Sequence, residues 1–300
     1  MKTFMCPLPL AMALGLAMSL PAAAQQAFPT PDEATRALVD ILSVQPADQA
    51  RLTTLLGADW RDFVPVGSVD RADVDAFLSH YHERHAIQAE GDKAMLSVGT
   101  DPWILPVPLA KGAKGWTFDL KAGADEIRNR RIGRDELAAE QSALAYHDAQ
   151  MDYALEDRNG DGVLEYAQKL LSTDGQHDGL YWSEDDSGQI SPLGPLYGDA
   201  TPGGDWHGYH FRILTAQGPS APGGAYDYRL GDNMSRGFAL IAWPSKYNDT
   251  GVMSFMISHE GQLFEKDLGP NGTALATAMT RFDPDDSWKE VKQDASAAIP

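Results

Sequence analysis

Asp157, Asn159 and Asp161, followed by Gly162, set oxygen-bearing side chains at alternate positions ahead of a glycine that permits a sharp bend. That is the first half of a calcium loop. Glu165 falls at the ninth position of the loop, and Gln168 stands at the twelfth, where a bidentate carboxylate is wanted. Asp157, Asn159, Asp161 and Glu165 are therefore the candidate metal ligands, with calcium the candidate cofactor. The competing expectation is a tight Asn/Asp/Gly turn that stops one helix and starts another over 163–171 through side-chain-to-backbone bonds. A second chemistry, hydrolysis between paired carboxylates, could draw on Glu165, Asp178, Glu184 or Asp185.

Other constellations carry less. His82 and His85 would share a face of a helix while His80 points elsewhere, which reads as a solvated face rather than a zinc site wanting three or four ligands. His207 and His210, three apart in an expected strand, would point to opposite faces. No G-x-S-x-G elbow, H-E-x-x-H pair or phosphate-binding glycine loop occurs. The single cysteine, Cys6, lies in a segment expected to be removed, which excludes a thiol nucleophile and a disulfide from the remainder.

That segment has Lys2, an apolar run over 8–20 and Pro21-Ala22-Ala23-Ala24, the layout of an export signal cleaved after Ala24. Its run is too short to span a bilayer comfortably. The expected location is periplasmic or secreted, with no stable membrane insertion after cleavage. A formal charge of −19 repels nucleic acid and anionic lipid and can attract cations or basic partners, but charge alone names no partner; the expected partner is an unknown envelope protein or polymer.

The elements that would position these residues fall into an α+β plan. Residues 25–121 form a small domain of helices followed by a meander. Thr30-Pro31-Asp32-Glu33 starts a helix with a hydroxyl cap, a proline in the first turn and acids at the positive end of the dipole. A second helix opens at Pro46 and ends at Gly57, and a third covers 71–84. Strands follow at 94–98, at 103–109 with Pro106 and Pro108 pointing to an edge, and at 116–120. A domain boundary is expected at Lys121-Ala122-Gly123.

Residues 122–290 begin with a long helix whose narrow apolar stripe is Ile127, Ile132, Leu137, Leu144, Met151 and Leu155, with a kink near Gly133. An antiparallel sheet follows from strands at 208–214, 237–244, 251–258 and 263–268, with the turn of the last hairpin at His259-Glu260-Gly261-Gln262. A short helix at 273–279 and a polar tail over 291–300 complete the plan.

The segments Phe28-Pro-Thr-Pro-Asp-Glu-Ala, Arg131-Ile-Gly-Arg-Asp-Glu-Leu, Asp157-Arg-Asn-Gly-Asp-Gly-Val-Leu-Glu-Tyr-Ala, Asp178-Gly-Leu-Tyr-Trp and Gly208-Tyr-His-Phe-Arg-Ile-Leu resemble a bacterial envelope family catalogued as domain of unknown function 2950. That resemblance covers nearly all of the chain after residue 24 and implies an exported protein with no assigned catalytic residues. Residues 208–211 and 242–255 also resemble the globular domain of pilins and pseudopilins, which implies a long helix packed on an antiparallel sheet. Together these imply a binding or envelope-support module, with a carboxylate-dependent hydrolase of an envelope polymer as the alternative.

Overall fold

A computed structural model describes residues 25–64, 69–183, 188–194 and 204–292. The expected export segment 1–24, Glu184, Asp185 and all but the start of the 291–300 tail lie outside the described residues. The chain forms two compact units, one ending at Ile127 and the other beginning at Arg128.

In the first unit, α1 (Pro31–Leu42) starts as its local chemistry dictates, with the Thr30 hydroxyl accepting from the Glu33 N–H at 3.2 Å. The next helix, α2 (Gln49–Leu56), begins later than Pro46, because the Asp48 carboxylate accepts from the N–H groups of Ala50 and Arg51. A single turn, α3 (Trp60–Phe63), precedes α4 (Arg71–Glu83). Arg84 is already extended. His85 therefore belongs to a strand that the sequence pattern does not announce, β1 (His85–Glu90), paired in antiparallel register with β2 (Lys93–Val98). The expected strand over 103–109 is split into β3 (Trp103–Ile104) and β4 (Leu109–Gly112). Pro106 and Pro108 lie in the gap and lack the N–H that a ladder needs. Finally β5 (Gly115–Phe118) pairs with β4, and the sheet runs β1-β2-β4-β5 with β3 on β2.

The long helix α5 runs without interruption from Leu120 to Tyr153, through Gly133. It starts at Leu120 because the Asp119 carboxylate accepts from the Ala122 N–H at 3.0 Å. Lys121, Ala122 and Gly123 are thus helical rather than a linker.

The expected stripe is corrected as well. Ile132 is buried and Ile127 and Leu144 pack against core residues as expected, but Leu137, Met151 and Leu155 are exposed, Leu155 by 73%, while Ala139, Ala143, Tyr146, Ala149, Gln150 and Tyr153 are buried. Small side chains let the helix approach the sheet closely, and the buried tyrosines carry their hydroxyls to partners: Tyr146 donates to Ala239 O, and Tyr153 to His177 O.

The second unit continues with β6 (Tyr209–Leu214), the short pair β7 (Ala216–Gln217) and β8 (Tyr226–Asp227), then β9 (Ala239–Pro244), β10 (Met253–Ser258), β11 (Leu263–Asp267), α6 (Gly272–Ala278) and β12 (Lys289–Glu290). Its main sheet has the antiparallel order β12-β11-β10-β9-β6. All six residues of β9 are buried, as befits an interior strand. Arg212 on β6 donates to the carbonyls of Ala276 and Thr277 at 2.7 Å, and to that of Met279, holding the C-terminal end of α6.

Candidate functional site

The segment 157–168 is a loop closed by its own side chains. One Asp157 oxygen accepts from the N–H groups of Gly160 (2.8 Å) and Asp161 (3.2 Å), and the other from Gly162 N–H (2.8 Å). Asn159 Oδ1 accepts from Asp161 N–H, and Asp161 Oδ1 from Val163 N–H. Gly160 and Gly162 have φ of +77° and +88°, values that a side chain would oppose.

The helix expected over 163–171 does not form. Its backbone is claimed from far along the chain: Tyr166 N–H donates to Met234 O at 2.8 Å, and Leu180 and Tyr181 N–H donate to Lys169 O and Leu170 O. Tertiary hydrogen bonds have replaced the local ones.

Glu165 is the pivot of the loop. Its carboxylate, 9% exposed as a residue, accepts from Asn159 Nδ2 at 2.5 Å and from Met234 N–H at 2.9 Å. Burial pushes its pKa above the usual carboxylate value, while the Met234 N–H pulls it back. Asn233 donates to Asp161, and Gln168 donates to Asp232 O at 2.6 Å. The residue at the twelfth loop position thus anchors the 230–234 turn. Among the described residues no group of three or more His, Cys, Asp or Glu side chains is gathered closely enough to hold a metal ion. In this conformation Asp157 faces its own backbone, while Asn159 and Asp161 divide their side chains between that backbone and Glu165 or Asn233.

Asp178 lies in a separate cradle, accepting from Lys169 Nζ at 2.5 Å and from the Thr173 N–H and hydroxyl. Burial raises its pKa, and the Lys169 and Thr173 contacts outweigh that and hold it below the usual value. Neither its bonding partners nor those of Glu165 are shared with the other. His80 and His82 are exposed on α4, and His85 stacks on Tyr81 with centroids 3.9 Å apart. His207 is in a turn with φ +49° rather than in a strand, which corrects its expected placement.

Two clusters escaped the sequence reading because their members are far apart in the chain. Around Phe238, the His259 Nε2 lies 3.3 Å from the Tyr226 hydroxyl and 3.5 Å from Glu260, and His147 packs on the same ring. Burial pushes His259 below the ordinary imidazole pKa. Its Nδ1 is buried without a hydrogen-bond partner among the described residues.

The second cluster joins α5 to the segment after β9. Arg131 pairs with Asp249, and Glu136 accepts from the N–H groups of Val252 and Met253 at 2.8 and 3.0 Å. Between them sits Asp135, pushed by burial up to about 6.

The family profile described as Protein of unknown function (DUF2950) matches residues 25–291. The chain belongs to the DUF2950 family. No curated protein and no solved structure matches it. Roles for residues in this DUF2950 member therefore rest on its own geometry.

Asp135 gives that geometry a measurable consequence. Burial raises its pKa from 3.8 to about 6; Arg134 and Arg131 act against this, and Asp249 adds to it. The folded state then binds this proton more tightly than the unfolded chain. The resulting stabilisation is fully present below about pH 4 and is lost as pH rises through about 6. Because solvent screens part of the effect at this half-buried side chain, Asp135→Asn should be more stable than the parent by about 1–2 kcal/mol at pH 7. Urea melts should show that advantage vanishing near pH 4. An advantage that is independent of pH would contradict the assignment.

Proposed function

We propose that this DUF2950 member is exported and serves in the envelope as a binding or support module rather than a catalyst. The observation that carries this reading is how the acids with catalytic promise are spent. Glu165 holds Asn159 and Met234 N–H, and Asp178 holds Lys169 and Thr173, so both carboxylates fix chain segments. Export is supported by the sequence of residues 1–24. Among the described residues no helix is long and apolar enough to cross a membrane. The formal charge of −19 favours a protein or polymer partner over nucleic acid. The pilin-like reading of the second unit, drawn from residues 208–211 and 242–255, brings no filament function with it.

The decisive experiment expresses the full chain in a bacterial host and recovers it from the periplasm. The recovered protein should begin at Gln25, co-sediment with insoluble envelope material and release no soluble fragments. Retention of residues 1–24 in the cytoplasm would overturn export, and fragment release would overturn the non-catalytic reading.

A second reading, the carboxylate-dependent hydrolysis of an envelope polymer expected around Glu165 and Asp178, would need a different acid, and Asp135, beside Glu136 in the Arg131–Asp249 cluster with its pKa raised by burial to about 6, is the candidate general acid. Fragment release abolished by Asp135→Asn would favour it.

Calcium enters the first reading as a clasp. Asp157, Asn159, Asp161 and Glu165 would hold it weakly, because Gln168 cannot supply the last carboxylate, in the roughly 10⁻⁴ to 10⁻³ M range of extracellular modules. At ten times a dissociation constant of about 1 mM the gain is about 1.4 kcal/mol, or roughly 3–5 °C in melting temperature. In moderate salt, which screens loose association with an acidic surface, that shift should be present in the parent and absent from Asp157→Ala and Asp161→Ala. Equal shifts in all three proteins would remove the site and leave the loop as a turn.

A further inference from the structure

We propose that β1 is a pairing edge at which two copies of this chain join through an antiparallel β1–β1 contact across a two-fold axis. β1 is the terminal strand of the first unit's sheet. The opposite end of that sheet is closed: Phe28 and Trp116 on β5 exchange backbone hydrogen bonds of 2.9 and 2.8 Å. β1 has no such cover among the described residues.

The strand also lacks the devices that usually blunt an edge. His85-Ala-Ile-Gln-Ala-Glu contains no proline and no lysine, and its register with β2 runs unbroken from His85↔Val98 to Glu90↔Lys93. Five of its six residues are exposed, and Ile87 is half-buried.

The backbone alternation fixes which groups face outward. The Arg84 carbonyl accepts from Gly99 N–H at 2.8 Å, so Arg84 turns toward β2. Residues two apart share that direction, and the N–H and C=O groups of His85, Ile87 and Ala89 therefore face away from β2. In a self-paired antiparallel strand, residues that exchange hydrogen bonds must both belong to this outward set. An axis through Ile87 satisfies the rule, setting Ile87 against Ile87 of the partner subunit and His85 against Ala89 of the partner subunit. That arrangement closes about six backbone hydrogen bonds.

Charge selects a second copy as the occupant. In this register Arg84 of each protomer faces Glu90 of the partner subunit, twice over by symmetry. Arg84 and Glu90 are both exposed on the sheet's open face and form no ion pair among the described residues. A basic residue at one end of the strand and an acidic one at the other make the edge complementary to itself. A contact this short buries less than the roughly 1,200 Å² of a stable interface, so the dimer is weak, with a dissociation constant of about 1–100 µM.

Sedimentation equilibrium on the chain from Gln25 onward, at about 0.15 M salt to screen the general repulsion of an acidic protein, tests this directly. The parent should pass from monomer to dimer across that concentration range. Arg84→Glu, which sets two carboxylates against each other at both ends, should weaken the dimer about tenfold. The double exchange Arg84→Glu/Glu90→Arg should restore it. Circular dichroism should be unchanged in both. A parent that stays monomeric throughout overturns the proposal, as does a dimer indifferent to Arg84→Glu or one that the double exchange fails to rescue.

Discussion

Replacing Gln150 by leucine should lower the unfolding free energy of the second unit by about 3–5 kcal/mol. Gln150 is fully buried on α5, and its amide works as a peptide group would in a sheet. It accepts from Ala167 N–H at 2.8 Å and donates to Ala167 O at 2.8 Å, closing that residue's backbone from 17 positions away. The same amide donates to the Tyr146 hydroxyl at 3.0 Å, which in turn donates to Ala239 O on β9. Helix, Ala167 segment and sheet are joined by one side chain. Leucine fills nearly the same volume, so the cost is not a cavity. It is the orphaned N–H and C=O of Ala167, each worth about 1–3 kcal/mol when buried unpaired.

Tyr146→Phe supplies the comparison, since it removes the hydroxyl but leaves Ala167 closed, and should cost only about 1 kcal/mol. The melting transition of the second unit should fall by roughly 10 °C for Gln150→Leu. A loss below about 1 kcal/mol would mean that water or a shifted neighbour satisfies Ala167, and the network would not be what holds this segment.

The same residue shows where the sequence stops being readable. Thr30 and the turn glycines are legible because their chemistry is local: a hydroxyl accepts from an N–H three residues on, and a glycine takes a positive φ. The β9–β10–β11 hairpins are legible from short apolar runs separated by turns. The buried face of α5 is not. Hydropathy finds Ile132 and Leu144 but also points to the exposed Leu137, Met151 and Leu155, and it misses Ala139, Ala143, Tyr146 and Gln150, because close approach and distant hydrogen bonds decide.

The loop was half legible. Asp157, Asn159 and Asp161 announce a turn around Gly162, but nothing near Glu165 announces Met234 as its partner. The 163–171 helix fails for the same reason. Asp135 carries no sequence signal because its burial and its neighbour Asp249 come from a strand connection far downstream. β1 escapes notice because His85-Ala-Ile-Gln-Ala-Glu is strand only by virtue of β2 beside it.

In the first unit the corresponding large effect is expected at Gly115, where alanine should cost about 3 kcal/mol or more. Gly115 has φ +123°, outside what an L side chain adopts readily, and an added Cβ would lie 2.3 Å from Phe28 O and 3.0 Å from its carbonyl carbon. Those are backbone atoms, which cannot swing aside like the end of a long side chain. Relief requires pushing Phe28 away and breaking its two bonds to Trp116, which unseats a buried ring from the core shared with Leu55 and Trp60. Gln25, which donates to Leu55 O and Phe118 O, would be dragged with it. Gly112→Ala is the control: the nearest atom to an added Cβ, Gly115 O across the hairpin, is 3.8 Å away and its φ is unexceptional, so the change should stay within about 1 kcal/mol. The pair Gly115→Ala and Gln150→Leu also tests whether the two units unfold separately, since they lie on opposite sides of the division after Ile127. Calorimetry should show two transitions, the first variant lowering one and the second the other. A single transition displaced by both would show that the chain melts as one cooperative body, and the two-unit organisation would then describe packing but not folding.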